Sequence, residues 1–283
     1  MKGSRLPGSR ILLRGGIIAA LLLFGLSAAY AQIIFGGFGG GRPRWARVQD
    51  FDGSFVYCRG YYTSVYGEAG GQGWSTDYPA ADNNFSVRLA ELTRVFVKKD
   101  ENRYPTHVVV QLTDPLLFKC PILFMEDVGT MRLEDDEVSN LRDYLLKGGY
   151  VWVDDFWGTN AWSVWEHELR RVLPSTQFKM IDIPQDHPIM RTLYAVPEIP
   201  QVPSINSWRR MPGETSERGY DSQTVHFRGI EDETGRLMVL MTHNTDIADT
   251  WEREGEEPRE YFQIFSPRGY AVGVNVVVYT MTH

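Results

Sequence analysis

The sequence predicts an α/β protein with a mostly parallel sheet and helices on both faces, preceded by an export signal. Three observations lead there. Short apolar runs rich in β-formers alternate with amphipathic segments from about residue 55 to residue 181, an order that folds as a parallel sheet with right-handed crossovers. One unit, at 134–154, carries a full set of helix start and stop signals followed at once by a strand. The 283 residues are 43% hydrophobic and 23% charged, material for a packed core rather than for a disordered or fibrous chain.

Residues 1–31 hold Lys2, Arg5, Arg10 and Arg14 and no acid, then the apolar run Ile17–Leu26 and the small residues Ala29 and Ala31. This pattern reads as a secretory signal cleaved after Ala31. The run is shorter than the ~20 residues that span a bilayer, so the membrane is met only through this segment if it is retained. Loss of its four cations takes the net charge from −7 to −11, and the expected address is the periplasm or cell envelope. Residues 32–50 read as a flexible leader, because Gly36, Gly37, Gly39, Gly40 and Gly41 surround Phe38. The α/β domain is expected over 51–283.

Within it, Phe55–Tyr62 reads as a strand, and Asp82 caps a helix reaching to Val95 with Phe85, Leu89 and Leu92 on one face. His107–Leu112 and Pro121–Met125 are apolar runs suited to a buried parallel sheet. The helix Glu134–Lys147 has acids at its positive dipole end, a stripe of Val138, Leu141 and Leu145, and a Gly148-Gly149 stop. The strand Tyr150–Asp154, a helix from Asn160 to Val172 and the strand Phe178–Ile181 follow. Beyond Pro197, Pro200, Pro203 and Pro212, strands are expected at Thr224–Phe227 and Leu237–Thr242. Tyr270–Tyr279 fits a strand and a buried helix alike.

Such sheets bind ligands beyond the carboxyl ends of their strands. There stand Trp74–Tyr78, Glu126-Asp127, Asp154-Asp155-Phe156-Trp157 and Asp186-His187-Pro188. Asp77, Asp155 and His187 are the candidate catalytic residues, since carboxylates and an imidazole suit acid–base hydrolysis or a divalent metal. No spacing specifies a metal. Each candidate also has a structural reading: Asp77 closes the turn before Tyr78-Pro79, Asp154 and Asp155 cap the next helix, and His187 bonds backbone in a turn. Trp74, Tyr78, Glu126, Asp154 and Trp157 are the candidate ligand-binding residues, flat aromatics beside carboxylates being suited to sugar rings. Trp152, Trp162 and Trp165 read as core. Asn244, Asp246, Asp249 and Glu252 resemble a calcium loop in composition but not in spacing, and are expected in a solvated connection.

The acidic balance excludes non-specific nucleic-acid binding. Two cysteines exclude a disulfide framework and a zinc knuckle. Cys58 and Cys120 fall in predicted strands, where buried free thiols are common, and export would favour a bridge; the sequence leaves both states open.

Taken together, Gly73–Phe85, Leu145–Phe156, Asp186–Ile189, Asp246–Glu252 and Gly273–Tyr279 resemble the DUF4159 family of exported bacterial proteins. That resemblance implies export and, through a relation to the class I glutamine-amidotransferase-like superfamily, a flavodoxin-like sheet. It implies no activity. An amidotransferase needs a thiolate on a sharp strand-to-helix turn. Here that turn carries Asp155-Phe156-Trp157-Gly158, so the glutaminase reading fails. The expectation is a non-catalytic domain that binds a small molecule, a glycan or an envelope protein. The alternative is a carboxylate- or metal-assisted hydrolase at the same rim.

Overall fold

A computed structural model describes residues 42–283; the expected signal segment, 1–31, and residues 32–41 of the expected leader lie outside the described residues. The strands are β1 (Tyr57–Tyr61), β2 (Thr63–Ser64), β3 (His107–Gln111), β4 (Leu123–Glu126), β5 (Met131–Arg132), β6 (Val151–Asp154), β7 (Met180–Asp182), β8 (His226–Glu231) and β9 (Leu237–His243). The helices are α1 (Ala80–Leu92), α2 (Asp135–Leu146), α3 (Gly158–Val172), α4 (Ile205–Arg210), α5 (Asp249–Glu252) and α6 (Arg259–Thr282). Seven strands form one sheet in the order β3-β1-β4-β6-β9-β8-β7. β1, β3, β4, β6 and β9 are parallel, and β8 is antiparallel to both of its neighbours. β2 and β5 pair separately.

Successive strand residues point to opposite faces, so each face carries a core. Tyr57, Phe124 and Trp152 meet Phe85 and Leu89 of α1 and Val274 and Val277 of α6 on one side. Cys58, Met125, Val151 and Val153 meet Leu141 and Leu145 of α2 and Trp165 and Leu169 of α3 on the other. Among the described residues no helix is long and apolar enough to cross a membrane.

Four local readings resolve or change. The C-terminal segment is a helix: its valines are β-branched, but it lies against the sheet face, and Gly269 and Gly273 let its backbone sit on Thr250 and Trp251. Asn275, in the middle of its valines, accepts from the amides of Leu193 and Tyr194 and donates to Tyr194 O. The described part of the leader is tied down, because Ala46 N donates to Val109 O and Val109 N to Arg44 O, extending the β3 edge. Cys58 and Cys120 are bonded to each other with Cα atoms 5.9 Å apart, Cys120 standing just before β4 rather than inside a strand. Asp82 makes no helix cap; it turns inward to Arg59.

Candidate functional site

Three neighbouring parallel strands leave the sheet through a residue in the left-handed region: Asp127 after β4 (φ 50°), Asp155 after β6 (φ 50°) and Asn244 after β9 (φ 63°). Asp and Asn tolerate that conformation better than other side chains. The exits are tied together, Asp127 N donating to Asp154 O at 3.1 Å and Asn244 N to Phe156 O at 3.0 Å. A fourth left-handed residue, Asp77 (φ 62°), follows the turn Gly73–Ser75. Arg59 fixes that turn from beneath, donating to Thr76 O at 2.9 Å and Trp74 O at 3.3 Å while pairing with Asp82 at 2.5 Å.

A cavity of about 420 Å³ opens over these exits. Asp127 and Asp155 line it from the strand ends, Asp77 from beyond the turn Gly73–Ser75, Asp246, Asp249 and Glu252 from the segment after β9, and Glu68 and Glu217 from flanking loops. Arg210, Arg218 and Arg253 are the cations of the lining. Eight carboxyls against three guanidiniums make it an acidic pocket.

Asp249 is fixed by Ile205 N at 2.7 Å and Tyr261 OH at 2.6 Å, both donating to Oδ2, and Asp246 Oδ1 accepts from Asp249 N at 2.8 Å. Asp77 is 9% exposed, and its Oδ2 is buried with no hydrogen-bond partner among the described residues. One oxygen from each of Asp77, Asp246 and Asp249 lies within 4.8 Å of the others. Burial, reinforced by neighbouring carboxylates, pushes Asp77 and Asp246 well above the ordinary carboxylate range; Asp249 rises less, held down by the Tyr261 hydroxyl and Arg253. Burial also raises Asp127 to about 8 and Glu252 to about 7. Like charges packed in a low dielectric take up protons or a cation. An all-oxygen set suits Ca²⁺, Mg²⁺ or Mn²⁺ and lacks the nitrogen and sulfur donors that zinc and copper favour.

The family described as Domain of unknown function (DUF4159) matches residues 63–281, which include every residue lining the pocket. The chain belongs to the DUF4159 family. No curated protein matches it.

In this DUF4159 domain Asp77 and Asp155 reach one pocket, together with Trp157, whose Nε1 donates to Asp155 Oδ1 at 2.9 Å. His187 does not join them. It stands 3.9 Å from Glu231, which pairs with Leu237 at the amino end of β9, whereas the pocket lies at the carboxyl ends. Two reversals leave β7 running alongside β9, with Ile183 N donating to Phe227 O at 2.9 Å at the pocket end, and the chain then doubles back along the sheet to the far rim, where His187 Nδ1 accepts from Ile189 N at 3.2 Å. Trp74 is half-buried between Tyr61 and Tyr78, and Tyr78 is buried with its hydroxyl accepting from Arg44 N at 3.0 Å; neither lines the pocket. Glu126 lies buried below, 3.9 Å from Arg59. Asp154 caps no helix; it accepts from Thr242 Oγ1 at 2.5 Å and Ala248 N at 2.9 Å and so clamps the segment after β9 onto β6.

That segment is the main correction. Asp246 and Asp249 are 2% exposed, not solvated, because Ile247, Ala248 and Trp251 pull the chain into the core. A sequence signal was present: two aspartates inside the otherwise uncharged run Thr245–Trp251, with no basic residue before Arg253. Glu68 and Arg218 carry no such signal. They reach the pocket from loops whose positions depend on the whole fold.

Proposed function

We propose that this is an exported, envelope-associated domain that binds a divalent cation at Asp77, Asp246 and Asp249 and, through it, a polar ligand in the rim pocket. One observation carries the reading: three buried carboxylates converge within 4.8 Å, and an oxygen of Asp77 is left with no partner among the described residues. Ionised together without a cation, they would be costly to bury. The signal-like N-terminus and the Cys58–Cys120 bond support export, since such bonds persist in oxidising compartments. The parallel β1-β4-β6-β9 core with helices on both faces suits a flavodoxin-like, amidotransferase-like sheet. With both cysteines bonded to one another, no thiol stands ready for glutaminase chemistry.

Thermal unfolding of the purified protein tests the reading. CaCl₂, MgCl₂ or MnCl₂ should raise the Tm, chelator should reverse the rise, and Asp77→Asn should abolish it. No shift with any of the three ions contradicts the proposal.

A second reading, a carboxylate- and metal-assisted hydrolase, is favoured by Asp155. It occupies the strand-to-helix turn between β6 and α3 in a left-handed conformation and lines the same pocket as the three cation ligands. Asp155 and Asp77 are its working carboxylates, without His187.

A further inference from the structure

Resting on the reading that the rim pocket is the ligand site, we infer that its ligand is a neutral, hydroxyl-rich chain, a carbohydrate, long enough to pass from that pocket into a second cavity beside it. The second cavity has a volume of about 570 Å³, and Glu68, Ala69, Trp157 and Arg218 line both. Between the two, the Arg218 side chain donates to the backbone carbonyl of Ala69 at 2.6 Å and stands 3.4 Å from Glu68. Each cavity alone falls within the ~300–1,000 Å³ typical of small-molecule sites.

The chemistry of the walls selects the class. The first pocket holds eight carboxyls against three guanidiniums, so beyond the three that take the cation its walls chiefly accept hydrogen bonds, and its ligand must donate them. The amino end of α3, where an anion would otherwise bind, is filled by the protein's own side chains. Trp157 N donates to Glu68 at 2.8 Å, Gly158 N to Asn244 Oδ1 at 2.8 Å and Thr159 N to Asp221 at 2.9 Å. The second cavity adds Tyr66, 54% exposed, with the neutral polar side chains of exposed Asn160 and Ser163. An open aromatic ring beside an amide and a hydroxyl suits a sugar ring, stacked on its face and bonded at its edge.

The test is titration calorimetry of the full protein, with CaCl₂ present, against neutral chito- and cello-oligosaccharides of two to six units. Inorganic phosphate and oligolysine serve as opposing probes. Affinity should rise with chain length. Tyr66→Ala should weaken hexamer binding about five- to ten-fold, leave dimer binding unchanged, and leave Tm and calcium binding unchanged, because Tyr66 is exposed. No binding of any neutral oligosaccharide by protein that still binds calcium overturns the inference and leaves the cation reading standing. Tighter binding of phosphate or oligolysine overturns it as well, as does a hexamer affinity unaltered by Tyr66→Ala. Oligosaccharide binding with no calcium binding would instead overturn the cation reading alone.

Discussion

Arg59 and Asp82 face each other at 2.5 Å, both wholly shielded from solvent, and the same guanidinium grips the carbonyls of Trp74 and Thr76. The pair therefore anchors α1 to β1 and also sets the backbone that delivers Asp77 to the pocket. Removing one partner strands a buried charge, which costs about 3–5 kcal/mol. Arg59→Met should lower unfolding stability by that amount. The double variant Arg59→Met/Asp82→Leu should recover much of it, yet still bind cations poorly because the turn before Asp77 is released. Urea unfolding and calcium titration of both variants check this.

Stability should depend on pH through the acidic pocket. Asp127 is raised to about 8, so the folded state keeps a proton that the unfolded chain loses near its ordinary value of ~4. Where the native state binds more protons than the unfolded state, stability falls as pH rises. His107, His187, His226 and His243 are lowered by burial, His243 to about 4, and pull the other way below pH ~6.5. The clean window is therefore pH 6.5–8. In chelator, denaturant midpoints should fall across it, and Asp127→Asn should flatten the fall. A midpoint that rises with pH there would count against the raised carboxyls.

Gly71 leaves room for the Asp127 carboxyl; a Cβ at that position would overlap it. Gly71→Ala should cost about 1–3 kcal/mol, the usual range for overpacking, and displace Asp127 from the pocket wall. Gly67→Ala, where a Cβ meets nothing, is the control. Equal melting curves for the two variants would contradict the packing described.

The Cys58–Cys120 bond joins residues 62 apart in sequence and should contribute about 4 kcal/mol by restricting the unfolded chain. Cys58→Ala/Cys120→Ala should melt well below the parent protein, and reductant should lower the parent's Tm but not the variant's.

Much of the fold is legible in the sequence. The alternation from Tyr57 to Asp182 is local information, because period-2 and period-3.6 patterns, dipole-matched acids and Gly stops act within a few residues. Tyr270–Tyr279 was not decidable, since a helix buried on nearly every side shows no polar face, and its valines favour a strand on propensity alone. Of the candidate site, Asp77 and Asp155 were visible because strand exits are where α/β sheets place ligands. His187 stands at the other rim because the chain doubles back after β7, a course that no local pattern encodes. Asp246 and Asp249 were misread because charge suggests solvent, whereas the apolar residues around them decided their burial.

The central claim is tested most directly by isothermal titration of Ca²⁺, Mg²⁺ and Mn²⁺ into the parent protein, Asp246→Asn and His187→Ala. One ion should bind the parent with a stoichiometry of about one. Asp246→Asn should weaken that binding at least ten-fold, the scale of losing one charged ligand, and His187→Ala should leave it unchanged. Absence of binding in the parent, or equal affinity in Asp246→Asn, would contradict the account.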